Sequence, residues 1–209
     1  MASQVDKMAS GLGWETFAKA TDLQKRLLFT LGAMIVYRLG TFIPLPGINS
    51  MVLDDIFTRQ AGGILGMFNM FTGGALSRMT LFALNIMPYI SASIIVQLAA
   101  SVLPSLIALK KEGEAGQRKM TQYTRYLTVL ITIVQAYGLA IGLEAMVGSA
   151  GTSAVLNPGA WFRFTTVVSL LGGTMFIVWL GDQIPSRGVG NGSSLIITAG
   201  IVAGIPMGL

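Results

Sequence analysis

Cysteine and histidine are both missing from the 209 residues. Their absence excludes disulfides, the usual zinc sites, thiol nucleophiles and imidazole general bases. Charge is scarce as well: charged residues make up 11% of the chain and apolar residues 53%, whereas a soluble domain carries about a quarter charged residues. A globule so poor in polar groups cannot cover its own surface, and a mean hydropathy of +0.68 points to a bilayer as the solvent. The phosphate loop GxxxxGK[ST], the zinc motif HExxH and the nucleophile elbow GxSxG are missing too.

In place of these the chain has long charge-poor runs. A hydrocarbon core needs about 20 mostly apolar residues per helix, and the runs predict five spans at about 27–45, 79–103, 124–146, 161–181 and 193–209. Arg38 interrupts the first, and Pro88 and Pro104 lie in the second charge-free run. Residues 1–26 carry Lys7, Lys19, Lys25 and Arg26 without the apolar core of a cleavable signal peptide, so they read as a cytoplasmic segment. Within it, the stretch from Trp14 to Leu23 reads as a surface helix or as a solvated leader. Ten Lys and Arg residues fall on the amino-terminal side of the spans and three, Arg59, Arg78 and Arg163, on the other. This asymmetry puts the amino terminus in the cytoplasm, and the net charge of +5 reports orientation more than an affinity for nucleic acid.

One stretch fits neither span nor loop. Residues 64–75, ILGMFNMFTGGA, are too short to cross and too apolar for water, and Gly62-Gly63 and Gly73-Gly74 bound them. They read as a re-entrant or plugging helix, or as a helix lying on the outer surface. Arg38 either faces a cavity or extends to the outer headgroups. Asn85 and Gln97 are read as interhelical hydrogen-bonding groups in span two. Gly200, Gly204 and Gly208 form a stripe that permits close helix packing, and Gly188 to Gly192 forms a tight turn between spans four and five. The connection 104–125 is the most polar stretch. It is either a solvated basic loop beside anionic lipid or a docking surface built from Lys110, Lys111, Arg118, Lys119 and Arg125.

Several segments resemble consecutive stretches of the bacterial SecY family. They are FIPLPGI (42–48), FNMFTGGALSR (68–78), IMPYISASIIVQL (86–98), KKEGEAGQRKMTQYTRY (110–126), WLGDQIPSRGVGNG (179–192) and AGIVAG (199–204). They follow one another in order and at the family's spacing. The sequence departs from the family at Asn85, where Gly is usual, at Pro185, where a small hydroxyl residue is usual, and at Ser193, commonly Ile. The family has ten spans, and this chain has five.

The resemblance implies an all-α membrane helix bundle: five transmembrane helices making the amino-terminal half of an inverted-repeat clamshell channel, with a short re-entrant plug helix. It implies a plug formed by Ile64, Leu65, Met67, Phe68, Asn69, Met70, Phe71 and Thr72. It further implies a pore ring with Ile86, Ile90, Ser193 and Ile197, and a lateral gate edge with Ser91, Ile94 and Gln97. The function implied is conduction of unfolded secretory proteins across the bacterial inner membrane and lateral release of membrane segments, without catalysis or cofactor. The partners implied are the carboxy-terminal half of the channel, SecE and SecG, the SecA ATPase, the ribosome, signal peptides with their nascent chains, and anionic phospholipid. Half of a small-solute secondary transporter is the alternative that a broken helix also allows; it should show charged groups converging near the midplane. A membrane-embedded enzyme lacks a base or metal cluster to work with.

Overall fold

The computed structural model describes residues 20–208, with side chains as far as Ala203; residues 1–19 of the 1–26 segment lie outside the described residues, and 21–26 already belong to the first helix. The first helix, α1 (Thr21–Gly40), has Asp22 in its first turn and Arg38 in its last, charges that suit the two ends of the helix dipole. It stops at Thr41, whose hydroxyl donates to the Arg38 carbonyl at 2.6 Å. Next come α2 (Ser50–Arg59), capped by the Asn49 side chain accepting from Met51 N, and α3 (Ile64–Phe71) between its two Gly pairs.

The second charge-free run is helical only from Met87. The residues before it are held by backbone pairing: Leu45 N donates to Met79 O at 3.0 Å and Leu81 N donates to Ile43 O at 3.1 Å. The same 43–49 stretch pairs with a later loop, through Asn49 N to Ala154 O and Leu156 N to Gly47 O. Both Met79 and Asn85 adopt positive φ, 48° and 52°, which a continuing α-helix cannot contain. Helix α4 (Met87–Val102) then starts with Pro88 in its first turn, where no helical hydrogen bond is lost. Pro104 opens α5 (Pro104–Lys111), bent by 97° from α4.

The remaining helices are α6 (Glu114–Ala145), α7 (Ala160–Arg187) and α8 (Gly192–Gly208). Helices α6 and α7 are long and apolar enough to cross a membrane, and α4 with α5 qualifies as one bent span. Helix α8 is a shorter apolar helix, and α1 ends at Gly40, earlier than the expected span. The architecture is all-helical.

Packing follows four-residue rows. Helix α6 buries Gly116, Met120, Thr124, Thr128, Thr132, Ala136 and Ala140, and α4 buries Pro88, Ala92, Val96 and Ala100. Such i±4 rows are the ridges that interdigitate when helices cross. The three Thr hydroxyls donate to the carbonyl four residues back, at 2.7–2.9 Å, so a polar row is satisfied within its own helix. Around these rows sit two apolar clusters. One holds Leu53, Met79, Leu143, Val155, Phe162 and Leu170; the other holds Tyr37, Phe82, Ile86, Ile177, Ile184 and Ile196. From Tyr37 and Phe82 of the second, a run of rings continues through the exposed Phe176 and Trp179, with successive centroids 5.8–5.9 Å apart.

Outside the spans, Ser149 Oγ donates to Asp55 Oδ2 at 2.8 Å and Arg59 Nε donates to Asp55 Oδ1 at 3.1 Å. The Ser149 bonds, with Arg59 beside them, hold the Asp55 carboxyl below its usual range. Its contribution to stability is present above the unfolded pKa of about 3.9 and disappears as pH falls through the folded value. Asp55→Asn should lower the thermal midpoint of the full-length protein slightly at pH 7, and the difference should shrink as pH is taken progressively below about 3.9. At Gly192, an added Cβ would overlap the Gly181 carbonyl. Gly192→Ala should therefore separate α7 from α8 and cost about 1–3 kcal/mol, read as a lower thermal midpoint in detergent.

Candidate functional site: a groove beside a tethered short helix

A groove of about 650 Å³ opens between the first turns of α4, the end of α7 and the start of α8. Tyr89, Ile90, Ser93 and Ile94 line it from α4, Gly181, Asp182 and Pro185 from α7, and Ser193, Ser194 and Ile197 from α8, with Gly190 and Asn191 closing the turn. Its base is set by the α7–α8 turn. There Gly190 takes φ 92°, Asn191 Oδ1 accepts from Ser193 N at 3.1 Å and from Ser194 N at 3.4 Å, and Val189 N donates to Thr30 Oγ1 of α1 at 2.9 Å. The turn is thus capped as a helix start and pinned to the first helix at once.

Three of the four residues expected at a ring, Ile90, Ser193 and Ile197, meet in this groove, and so does Ile94 of the expected gate edge. Ile86 lies behind them: it is 1% exposed and packs in the cluster with Ile177, Ile184 and Ile196. Ile86 is the N-cap of α4, and its carbonyl accepts from Ile90 N at 3.1 Å. Ser91 is half-buried. Gln97 is exposed, and its amide donates to Ser93 Oγ of the same helix at 3.4 Å rather than to another helix.

Helix α3 is fastened at one end. Its exposed residues are Ile64, Met67, Phe68, Met70 and Phe71; Leu65 packs against the first apolar cluster, and Thr72 is buried. At its carboxyl end, Asn69 Oδ1 accepts from Ser77 N at 2.9 Å and Thr72 Oγ1 accepts from Leu76 N at 3.3 Å. The Gly73 carbonyl accepts from Arg38 Nη1 at 2.8 Å and Arg78 Nη2 at 3.0 Å. The two guanidiniums lie over the Phe42 ring, 5.2 and 4.2 Å from its centroid. Arg38 therefore turns inward to the α3 end and does not simply extend toward headgroups, and its cation suits the negative end of the helix dipole. Asn85 Nδ2 donates to the Phe71 carbonyl at 3.2 Å, an interelement bond of the kind expected for it. Gly200 of α8 lies against the same carbonyl, in the packing role expected of its stripe.

On the opposite side, Arg118, Lys119 and Arg125 line a depression of about 560 Å³ with Glu114, Gln117, Thr121 and Gln122. Arg125 is committed to α7 through an ion pair with Asp182 at 2.7 Å. Lys110 and Lys111 end α5. Two features escaped the sequence reading: the paired guanidiniums on Gly73, and the Thr124, Thr128, Thr132 row. The row has a legible signal, since Thr and Ala recur every fourth residue from 124 to 140. The Arg38–Gly73–Arg78 cluster has none in a single sequence.

The SecY family model matches residues 80–209. The protein translocase subunit SecY of Buchnera aphidicola subsp. Acyrthosiphon kondoi is 60% identical over 185 residues, covering 88% of this chain and 51% of that protein. The corresponding subunit of Escherichia coli (strain K12) is 59% identical over 185 residues, covering 88% of this chain and 41% of that protein. The chain thus spans about half, or less, of the length of these relatives. A solved structure described as that of a protein conducting channel matches with a TM-score of 0.60 at 21% identity, over 89% of this chain and 38% of that one. Another, in which the plug domain of the SecY protein is described as stabilising the closed state of its translocation channel, matches with a TM-score of 0.57 at 20% identity, over 89% and 37%. At these identities the two structures establish a shared fold.

Proposed function

As the chain belongs to the SecY family, we propose that it supplies the amino-terminal half of a channel that conducts unfolded polypeptides across the bacterial inner membrane and releases apolar segments sideways into lipid. The observation that carries this reading is the meeting of Ile90, Ile197 and Ser193 in one groove. Bulky aliphatic side chains there supply a deformable collar: it excludes ions when empty and fits any side chain in transit, because dispersion contacts carry no sequence requirement. Ile86 backs the collar from the core, and Ser193 makes this half of it locally more polar. Helix α3 is the plug and closes the outer funnel. Helix α4 carries one edge of the lateral gate through Ser91, Ile94 and Gln97.

The rest of the assembly is proposed on the same footing: a complementary carboxy-terminal half, SecE and SecG, and the SecA motor or a ribosome as the source of drive. The charge asymmetry supports a cytoplasmic amino terminus, with the basic 104–125 region on the side of those partners and of anionic phospholipid. A secondary transporter is not favoured, because the described groove holds one carboxylate, Asp182, and that carboxylate is paired with Arg125.

Replacing Ile90 and Ile197 together by Gly in the full-length channel should raise its resting ion conductance in planar bilayers by about ten-fold or more, since each loses a fully apolar barrier group. An unchanged conductance, in protein that inserts normally, would remove the collar from the account.

A further inference from the structure

The amide of Asn85 makes a contact that the resemblance does not supply, because the family usually has Gly at this place. Asn85 is 1% exposed and sits at φ 52°, a left-handed conformation that Gly and Asn adopt with little strain. The Gly-like backbone is thereby kept while a side chain is added. That side chain reaches across to α3, where Nδ2 donates to the Phe71 carbonyl at 3.2 Å. Phe71 is the last residue of α3, so its carbonyl is among those a helix end leaves unsatisfied.

The surroundings make this contact a closed one. A Cβ built on Gly200 would lie 2.6 Å from the Phe71 carbonyl and 3.4 Å from the Tyr37 hydroxyl, so α8 and α1 crowd the same point. The Asn85 side chain also lies beside the buried Tyr37 hydroxyl of α1, and no other described donor meets the Phe71 carbonyl in this pocket. The Arg38 and Arg78 guanidiniums hold the following turn through Gly73, whereas the amino end of α3 is held by turn bonds such as Gly63 N to Gln60 O and by the packing of Leu65 on the first apolar cluster. The short helix is fastened at its carboxyl end, and Asn85 holds the last residue of the helix itself.

We infer that Asn85 is a positioning residue that seats the short helix α3 against the 72–86 segment and α8, and so biases this chain toward the closed, sealed arrangement. The inference rests on the plug reading of α3. Asn85 touches no translocating chain in this role; it acts by raising the free energy needed to lift α3. A buried neutral hydrogen bond sets the scale: its loss shifts such an equilibrium by about five-fold.

The test uses the full-length channel reconstituted in planar bilayers, with resting ion leak as the readout, in two backgrounds: intact, and with Ile64–Phe71 replaced by a Gly-Ser linker. Asn85→Gly keeps the left-handed backbone and removes only the amide. Asn85→Asp keeps the shape and turns the donor into an acceptor facing the Phe71 carbonyl. Both variants should raise the leak about five-fold in the intact background and change nothing in the linker background, where there is no helix to seat. Intact leak unchanged by both variants, in a channel whose linker version does leak, overturns the seating role and leaves the plug reading standing. An equal rise in both backgrounds also overturns it, because the residue would then act on the pore or the fold. A linker version that leaks no more than the parent removes the plug reading, and this inference with it.

Discussion

Backbone that leaves the helix inside an apolar protein must find its hydrogen bonds in the protein itself, and most of this structure is arranged around that requirement. Two of the stretches that leave the helix are 41–49 and 72–86. They satisfy one another through Leu45 N to Met79 O and Leu81 N to Ile43 O, and the first also pairs with 154–156. This pairing fixes where α4 begins. The start of α4 fixes Ile90 and Ile94 relative to α8, and hence the groove. The same economy appears at the carboxyl end of α3, where the carbonyls of Phe71 and Gly73 receive one amide and two guanidinium groups. A short apolar helix is held at that end by the few polar groups the chain possesses.

That economy explains what the sequence made legible. Elements governed by composition over a dozen residues or more were readable: the long apolar helices α6 and α7, the Pro104 break, and the short helix between Gly pairs. Boundaries set by long-range pairing were not. Nothing near Met79 signals that a charge-free run stays non-helical until Met87, because the partner segment is 36 residues earlier, at Pro44 opposite Thr80. Helix α1 stops at Gly40 for a related reason. An added Cβ there would overlap the Phe82 ring, and the chain turns to meet the 79–81 segment.

The site divides along the same line. Ile90, Ser193 and Ile197 came from motif resemblance, and the groove joins them because Gly181 and Gly192 let α7 and α8 approach until backbone meets backbone. Ile86 stands one turn before Ile90, its carbonyl accepting from Ile90 N at 3.1 Å, and the fold buries it in the cluster against which Ile90 packs. Arg38 was read from its neighbours in sequence, as a charge in an apolar run. Its actual partner, the Gly73 carbonyl, is reached only through the fold.

The central claim is that a polypeptide in transit passes against Ile90. It is tested most directly by a photoreactive residue at position 90 of the full-length channel, with a secretory precursor stalled part-way through. The account predicts a crosslink to the mature part of the precursor that requires its signal sequence and disappears when the precursor is released. A correctly inserted channel that gives no crosslink, or crosslinks only lipid, would contradict the pore reading of the groove.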